Sequence, residues 1–396
     1  MNKFFCNACS GTDFEEVLNL GDTPIAHRFL QDSSPDIEYT HLLAISLCRN
    51  CGLIQILNPI KPEELYRDYN FCFSDWKPQP HMIEEIDLIS KRIQKDNLVL
   101  EIGCNDGTFL EEMKKRGFSK LIGVEPNRVC FQRATEKGIN VYNDFFNADL
   151  AGKIIADHGK AHFIVIRQVM EHIEDLHALM GSFRELLHPE CWLLIEVPDF
   201  ECALSFGDSS ALWEEHINYF TEPTLTGLVE KNGFSVKHVD RFPFSGGALM
   251  VLAQHQEDDR KSVDQEIDRI KTLAMEYSGK VDKLKSRLVE TLERHRSNNA
   301  KNILYGAGCR SNTLINGLKL GHFFDYIVDD QPEKQSLFMP GCRLKISSSE
   351  GLNDLTGGCF LSVNHENEEK VMGKHKKYLK NGGSFYSLHS PSPLLV

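Results

Sequence analysis

Residues 97–110 read Asn-Leu-Val-Leu-Glu-Ile-Gly-Cys-Asn-Asp-Gly-Thr-Phe-Leu, and this stretch decides the fold. The apolar run that begins at Leu98 ends in Gly103, and an amphipathic segment over residues 108–116 follows it. A short apolar run that ends in glycine just before a helix is typical of a buried parallel strand. The stretch therefore predicts the first strand and the first helix of an α/β sheet.

The same alternation of apolar runs and helical segments continues along the chain. Further buried strands are predicted at residues 120–125, 163–166, 192–196, 235–239 and 248–253. Strands that alternate with helices are characteristic of an open, doubly wound sheet. A new buried strand at residues 302–305 opens a second α/β unit, which we expect to run to the C-terminus.

A highly charged stretch, residues 256–296, separates the two α/β units. Its apolar residues recur at helical spacing, as in Val263, Ile267, Ile270, Leu273, Val281, Leu284 and Leu288. This spacing predicts long linker helices, and a coiled-coil dimer seam is the alternative interpretation. We therefore expect three parts, residues 1–60, 61–255 and 256–396, in either a monomer or a homodimer.

The N-terminal part contains two pairs of cysteines, and the members of each pair are separated by two residues. The four residues are Cys6, Cys9, Cys48 and Cys51. Four thiolates at this spacing can close tetrahedrally on one zinc ion, whereas four unligated core cysteines are the alternative. A site with four protein ligands is closed, so we expect this zinc to hold the fold and to take no part in the chemistry.

The overall charge of the 396-residue chain narrows the range of its partners. A formal charge of -13 argues against a surface that neutralises nucleic acid phosphates. The first residues lack the zones of a secretion signal, and no apolar stretch approaches the roughly 18 residues that a membrane helix needs. We expect a cytoplasmic protein with a small-molecule partner, and neither nucleic acid nor a membrane.

The loop between the first strand and the first helix has the composition of a cofactor site. Its glycines allow the backbone to approach a ligand closely, and the N–H groups of the helix face that ligand. Glu125 ends the second strand, where a carboxylate can accept both ribose hydroxyls. The loop lacks the second and third glycines of a pyrophosphate cradle, and its acids suit a cationic sulfonium. It therefore predicts S-adenosylmethionine, with another nucleotide or a plain strand–helix connection as alternatives.

Besides the four cysteines, five distinctive motifs extend over the chain: EIGCNDGTFL at 101–110, IGVEP at 122–126, SGGALM at 245–250, GAGCRSNTLIN at 306–316 and VDDQPEKQSLFMPG at 328–341. Together these motifs resemble one family, the sugar C-methyltransferases of deoxysugar biosynthesis. The resemblance spans nearly the whole chain. It implies a class I methyltransferase sheet between a zinc-binding segment and a Rossmann-like substrate domain, with S-adenosylmethionine and Zn²⁺ as cofactors. It also implies methyl transfer to a carbon of a keto-sugar attached to a nucleoside diphosphate.

Carbon methylation beside a ketone needs a base, because a proton must leave the carbon before the resulting enolate attacks the sulfonium methyl. By the resemblance, His216 occupies the position of this base and His172 that of a second active-site histidine. Glu215 is expected to orient His216 or to line the pocket. The alternatives are ordinary surface or core histidines and a solvated carboxylate.

The resemblance and the loop pattern together give the remaining expected contacts. Expected cofactor contacts are Glu101, Gly103, Asn105, Asp106, Gly107, Glu125, Phe145 and Gln168. Expected substrate contacts are Phe71, Trp213, Gly308, Arg310, Asn312, Asp329 and Lys334. The alternative for the C-terminal residues is a Rossmann-like domain that has kept its shape but binds no ligand.

The chain departs from the family pattern at several of these positions. Trp213 stands where the family has tyrosine, Glu214 where it has histidine, and Met250 where it has arginine; Gln168 and Arg310 replace asparagine and lysine. These changes keep two further hypotheses open. One is methylation of oxygen or nitrogen on a different small acceptor, and the other is a non-catalytic binding or scaffold protein.

Overall fold

The computed structural model describes residues 4–32, 38–65, 79, 81–244, 246–255, 264–389 and 392–396. Its strands, in chain order, are β1 (Phe14–Pro24), β2 (Thr40–Cys48), β3 (Ile54–Gln55), β4 (Leu98–Ile102), β5 (Lys120–Val124), β6 (Asn140–Tyr142), β7 (Ala161–Arg167), β8 (Leu187–Pro198), β9 (Asn218–Tyr219), β10 (Phe234–Phe242), β11 (Ala248–His255), β12 (Lys301–Tyr305), β13 (Tyr326–Asp329), β14 (Ile346–Ser348), β15 (Gly357–Leu361) and β16 (Ser384–Ser387). Its α-helices are α1 (Pro62–Leu65), α2 (Met82–Ser90), α3 (Thr108–Lys115), α4 (Arg128–Glu136), α5 (Ala148–His158), α6 (Leu176–Leu186), α7 (Phe200–Phe206), α8 (Glu222–Lys231), α9 (Asp264–Ser297), α10 (Cys309–Gly317), α11 (His365–Lys374) and α12 (Lys376–Lys380).

The central sheet has seven strands in the order β10-β11-β8-β7-β4-β5-β6. β4 to β8 are parallel neighbours, whereas β11 is antiparallel to both β8 and β10. β4 is buried along its whole length because the sheet packs helices on both faces. The strand order reverses beside β4, and ligands of such sheets bind at the carboxyl ends of the strands at this point. The doubly wound sheet expected from the sequence is confirmed.

The N-terminal segment forms a four-stranded sheet whose fourth strand, β9, comes from the central part of the chain. Its order is β1-β2-β3-β9, and β3 pairs with β9 through Ile54–Tyr219 and Gln55–Asn218. The connection between β8 and β9 carries residues 213–216. This pairing, which the sequence does not predict, places the N-terminal sheet directly beside the predicted base His216.

The C-terminal part is a five-stranded parallel sheet in the order β14-β13-β12-β15-β16. The linker is one helix of 34 residues, α9, whereas the sequence predicts more than one. Its apolar side, including Ile270, Tyr277, Leu284 and Leu288, is buried in a core shared with β1, β2 and β12. Because this core covers the apolar side of the helix, the described part of α9 has no apolar seam left for a coiled coil. Val263, the first apolar residue of the predicted linker pattern, lies outside the described residues.

The described helices offer no candidate for a membrane crossing. α9 is the longest of them, but it is rich in charged side chains. Among the residues that the structure describes, no helix combines the length and the apolar character that a bilayer crossing requires.

Candidate active site

The cofactor loop follows β4 and contains a buried carboxylate. Glu101 is buried within β4, and among the described residues no hydrogen-bond partner reaches its Oε2 atom. Burial raises the pKa of Glu101 to about 8, although Arg167 opposes this shift. An orphaned buried carboxylate oxygen beside a ligand loop suits a cationic or amino group, so the loop fits the amino-acid tail of S-adenosylmethionine.

Glu125 ends β5 and holds the same loop in place. Its Oε2 accepts a hydrogen bond from the backbone N–H of Asn105 at 2.8 Å, and its Oε1 accepts one from Asn127 at 2.8 Å. Asp106 is buried at the start of α3, where its Oδ1 accepts from the hydroxyl of Thr108 at 2.6 Å. Asp106 therefore shapes the loop, and Glu125 lies at the strand end where a ribose is expected.

Two other predicted cofactor contacts lie on neighbouring strand ends. Phe145 follows β6 and is 60% exposed, so its ring is accessible to a ligand. Gln168 follows β7 with a positive φ of 53°, and its Nε2 donates to Glu196 Oε1 at 2.8 Å. Gln168 is thus fixed by a hydrogen bond within the protein.

Gly103 has a backbone conformation and a close neighbour that leave no room for a side chain, so a substitution there tests the cofactor loop. Its φ is +71°, and an added Cβ would lie 2.4 Å from Cγ2 of Val169, a β-branched residue with little rotamer freedom. We expect Gly103→Ala to weaken S-adenosylhomocysteine binding at least tenfold and to cost about 1–3 kcal/mol of stability. Isothermal titration and thermal unfolding measure both. Gly152→Ala on α5 is the matched control and should bind normally, because no atom of the described residues, beyond its chain neighbours and its own helix backbone, lies within 4 Å of the position its methyl group would take. Wild-type affinity in Gly103→Ala would contradict the placement of the cofactor.

His172 and His216 meet at the carboxyl end of the central sheet. His172 follows β7 in a short 3₁₀ turn, Met170–His172, and His216 lies in the turn before β9. Their rings are 5.0 Å apart, centroid to centroid, in an edge-on arrangement. Burial, with a smaller contribution from His172, lowers the pKa of His216 well below its usual range. His216 is therefore a neutral imidazole at neutral pH, which is the form that accepts a proton.

Backbone contacts fix the ring of His172 and the turn that carries His216. The ring of His172 bonds through Nδ1 to the carbonyl oxygen of Glu215 at 2.8 Å, so its Nε2 faces the other way. The backbone N–H of His216 donates to the carbonyl of Trp213 at 3.1 Å, which closes the turn. The indole N–H of Trp213 donates to the carbonyl of Ser210, so this donor is already engaged.

The Glu215 side chain does not point to either predicted histidine but pairs with His27. His27 Nδ1 lies 2.7 Å from Glu215 Oε1, and the neighbouring Ala26 N–H donates to Glu214 Oε1 at 2.6 Å. Burial, then the nearby Glu215 charge, raises the pKa of Glu214 to about 7. Sequence reasoning missed His27, because it lies in a loop after β1 that carries no motif.

A buried charge network supports the strand ends beneath the histidines. The Arg167 Nε atom is 2.8 Å from Glu85 Oε2, and His81 Nε2 is 2.8 Å from Glu196 Oε2. Glu171, next to His172, is almost fully buried, and burial raises its pKa to about 7. No sequence motif marks this network, because it depends on contacts between distant segments.

The predicted substrate residues of the C-terminal part occupy two places. Arg310 lies at the start of α10, where its Nη2 is 2.6 Å from Asp208 Oδ2 of the central part. Asp329 accepts hydrogen bonds from the backbone of Ala307 at 2.7 Å and of Gln331 at 2.8 Å. Arg310 therefore fastens the C-terminal part to the central part, while Asp329 holds the loop that precedes α10.

Three of the other predicted substrate contacts, Gly308, Asn312 and Lys334, lie at or near that loop. Lys334 Nζ donates to the carbonyl of Ala307 at 2.8 Å, and Asn312 is buried with its Nδ2 3.3 Å from the Pro340 carbonyl. At Gly308, the N-terminal end of α10, no atom of the described residues other than its chain neighbours lies within 4 Å of an added Cβ, so this part of the loop has open space around it. Phe71 lies outside the described residues.

The four cysteine sulfurs converge at one point. Cys6 and Cys51 Sγ are 3.5 Å apart, Cys9 and Cys48 Sγ are 3.6 Å apart, and all four lie within 4.8 Å of one another. Zinc–sulfur bonds of about 2.3 Å in a tetrahedron place the sulfurs about 3.8 Å apart, so the cluster fits zinc. It shares no residue with the groups of acids and histidines around His172, His216 and His27, as expected of a structural site.

Three family models match successive parts of the chain. They describe a zinc binding domain over residues 6–66, a methyltransferase domain over residues 77–239 and a C-methyltransferase C-terminal domain over residues 243–388. The C-methyltransferase NovU of Streptomyces niveus is 27% identical over 406 residues, which cover 99% of this chain and 96% of NovU.

Solved structures with local similarity include two methyltransferases. Magnesium protoporphyrin IX methyltransferase from Synechocystis PCC 6803 is 15% identical, covers 49% of this chain and 92% of its own, and has a TM-score of 0.37. An S-adenosylmethionine-dependent methyltransferase from Mesorhizobium loti is 12% identical, covers 43% of this chain and 96% of its own, and has a TM-score of 0.34.

Proposed function

Because the chain belongs to the S-adenosylmethionine-dependent C-methyltransferases with a zinc-binding N-terminal segment, we propose that its acceptor is a nucleotide-linked keto-sugar. The methyl group goes to a carbon beside the ketone. The observation that carries this proposal is the pair of His172 and His216, which two separate loops bring together at the carboxyl end of the sheet. A carbon acid needs such a base, and this sheet end is where the cofactor loop also opens.

His216 acts as the base in this proposal. Its buried imidazole is neutral at neutral pH, so it can take the proton from the carbon next to the ketone. His172 contacts the acceptor through Nε2, because its Nδ1 is held by the Glu215 carbonyl. S-adenosylmethionine, when bound against Glu101 and Glu125, supplies the methyl group that the resulting enolate takes up.

In the proposal the chain has three parts, residues 1–60, 61–255 and 256–396, and the second and third contribute residues directly to this site. The central part supplies the base and the cofactor loop. The C-terminal part contributes Gly308, Asn312 and Lys334 around the start of α10, where backbone N–H groups suit a phosphate. The pairing of Arg310 with Asp208 supports this arrangement, because it fixes α10 against the central part.

Two observations favour a second candidate, methylation of oxygen or nitrogen on another small acceptor. Met250 is fully buried in β11, so the position where the family has arginine adds no cation to the site. The Trp213 indole N–H is occupied by the Ser210 carbonyl. Trp213 and Met250 therefore supply neither the acidic hydroxyl of a tyrosine nor the cation of an arginine, and the latter would suit a phosphate.

The two candidates are separated by proton exchange. We expect the protein with bound S-adenosylhomocysteine to exchange the protons beside the ketone of thymidine diphosphate-4-keto-6-deoxyglucose in D₂O, which NMR detects directly. Isothermal titration should show that thymidine diphosphate binds the same complex. Exchange requires a carbon-directed base and occurs without methyl transfer. Cofactor binding with neither exchange nor nucleotide binding would rule out the keto-sugar and favour the second candidate.

A further inference from the structure

We propose that the C-terminal part holds the ribose of its nucleotide on Asp329, so that the protein prefers a ribonucleoside diphosphate to its 2′-deoxy form. The inference rests on the proposed function and deepens it, because it names the class of nucleotide that the acceptor carries. It starts from a repeat within the chain. The first strands of the C-terminal sheet, β12 and β13, reproduce the geometry of the cofactor site around β4 and β5.

The first matched feature is the glycine that follows the opening strand of each sheet. Gly103 follows β4 with a φ of +71°, and Gly306 follows β12 with a φ of +100°. The backbone N–H of Gly103 donates to the carbonyl of Val124 at 2.9 Å, and that of Gly306 donates to the carbonyl of Val328 at 2.8 Å. Both loops therefore leave their strand through the same hydrogen bond to the neighbouring strand.

Both glycines also lie where the strand order of their sheet reverses. β4 has β5 on one side and β7 on the other, and β12 has β13 and β15. An added Cβ at Gly103 would lie 2.4 Å from Cγ2 of Val169, after β7, and one at Gly306 would lie 2.6 Å from the carbonyl oxygen of Ser362, after β15. Each loop thus borders the carboxyl ends of three strands, which is where α/β sheets bind nucleotides.

The second matched feature is the acid at the end of the second strand. Asp329 accepts hydrogen bonds from the backbone N–H groups of Ala307 at 2.7 Å and Gln331 at 2.8 Å. Glu125 makes the corresponding two contacts, one with the loop after β4 and one with the residue two positions beyond itself, and each acid is 6% exposed. Lys334 Nζ is 3.8 Å from Asp329 Oδ2, beyond hydrogen-bond distance. A carboxylate has about four acceptor positions, so both acids keep capacity for ribose hydroxyls.

The two loops differ in charge, and this difference selects the ligand. Glu101, two residues before the first glycine, is a buried carboxylate that suits a cationic cofactor, whereas Leu304 takes the same place before the second. The motif at 306–316 contains no acid, and Lys334 Nζ donates to a carbonyl of that loop at 2.8 Å. Backbone N–H groups at the start of α10 and a lysine beside them suit phosphate. This site therefore fits a nucleoside diphosphate and not a second S-adenosylmethionine.

The test compares nucleotides that differ at one hydroxyl. Isothermal titration of the protein saturated with S-adenosylhomocysteine measures the binding of uridine diphosphate, 2′-deoxyuridine diphosphate and 2′-deoxy-2′-fluorouridine diphosphate. Since S-adenosylhomocysteine fills the cofactor site, the titration reports a different nucleoside site. We expect uridine diphosphate to bind about tenfold more tightly than either analogue, because a hydroxyl that donates to a carboxylate makes a charge-assisted hydrogen bond. The fluorine atom replaces the hydroxyl but cannot donate.

Two variants locate this preference. Asp329→Asn should reduce the ratio of the affinities for uridine diphosphate and its 2′-deoxy form to threefold or less, even where both nucleotides bind more weakly. Asp325→Asn is the matched control and should keep the tenfold ratio. Asp325 precedes β13 at the end opposite to Asp329, and its Oδ2 accepts from the Asn302 N–H at 2.9 Å. The ratio measured with the wild-type protein stands by itself if Asp329→Asn does not fold.

The outcomes separate this inference from the proposed function. Equal binding of the three nucleotides by the wild-type protein would overturn the ribose contact, and so would a tenfold ratio retained by Asp329→Asn. In both cases the keto-sugar proposal stands. Failure of every nucleotide to bind would also overturn the ribose contact, and it would overturn the keto-sugar proposal as well if proton exchange were absent.

Discussion

His216→Gln is expected to lower kcat for methyl transfer to a keto-sugar by about 10²–10⁴-fold, the usual contribution of a general base. Glutamine has no basic nitrogen, so the carbon–hydrogen bond would have to break without a proton acceptor. The affinity for S-adenosylhomocysteine should stay within threefold, because the cofactor loop depends on Glu101, Gly103 and Glu125. The measurement is single-turnover methyl transfer beside isothermal titration of the same preparation.

The fold of this variant must be checked, because His216 is buried against Trp213, with ring centroids 4.6 Å apart. His238→Gln serves as the exposed control. A folded His216→Gln protein that retains activity within tenfold would contradict the base assignment. It would favour an oxygen or nitrogen acceptor, since a bound hydroxyl or amine needs less help from a base than a carbon acid does.

The expected pH profile of methyl transfer follows from the burial of His216. Because the pKa of His216 lies well below its usual value, the imidazole remains a base as pH falls through the ordinary histidine range. We therefore expect this residue to place the acid limb of kcat/KM below that range, where His216 becomes protonated and loses function. Initial rates of methyl transfer across the acid range measure this limb. An acid limb at the ordinary pKa of histidine would contradict His216 as the titrating base.

The central sheet can be predicted from the sequence because its strands are local apolar runs. β4, for example, is buried at every position, and the run from Leu98 to Ile102 shows this without any knowledge of its neighbours. The cysteine pairs are equally local signals, since ligand spacing is visible within each pair. The linker is harder to predict, because helical periodicity in residues 264–297 does not say which surface covers the apolar side.

The site itself is only partly visible in the sequence, because its geometry depends on contacts between distant segments. Motif positions identify the histidines, but no local pattern shows that Glu215 turns toward His27. Nor does a pattern show that Arg310 pairs with Asp208, 102 residues away. A motif specifies which residue types are present, whereas the direction of a side chain is set by the partner that the fold brings to it.

The zinc cluster connects these distant contacts to the site. Cys48 is the last residue of β2, and β2 pairs with β3 through Ser46–Gln55 and Leu47–Ile54. β3 in turn pairs with β9, and the Ile56 N–H donates to the carbonyl of Ile217, the residue after His216. The zinc-binding segment therefore supports the turn that carries the predicted base.

We expect loss of zinc to lower activity strongly, because the turn of residues 213–216 would lose the sheet that supports it. Structural zinc contributes about 10–16 kcal/mol of apparent binding free energy in small zinc-binding peptides, which is as large as the whole unfolding free energy of a typical domain, about 5–15 kcal/mol. We expect Cys48→Ser, or treatment with a chelator, to lower kcat at least 10²-fold and to unfold the N-terminal segment, with both β1 and the His27 loop released. The measurements are zinc content, proteolysis of the segment and methyl transfer.

The cofactor site provides the internal comparison for this prediction. β4 and β5 pair with each other and not with the N-terminal sheet, so S-adenosylhomocysteine affinity should fall less than tenfold when zinc is lost. Cys202→Ser on α7, outside the four-cysteine cluster, is the matched control and should keep both zinc and activity. Full methyl transfer by a zinc-free protein would show that the β3–β9 pairing holds without the metal, and that the turn of residues 213–216 does not depend on the cluster.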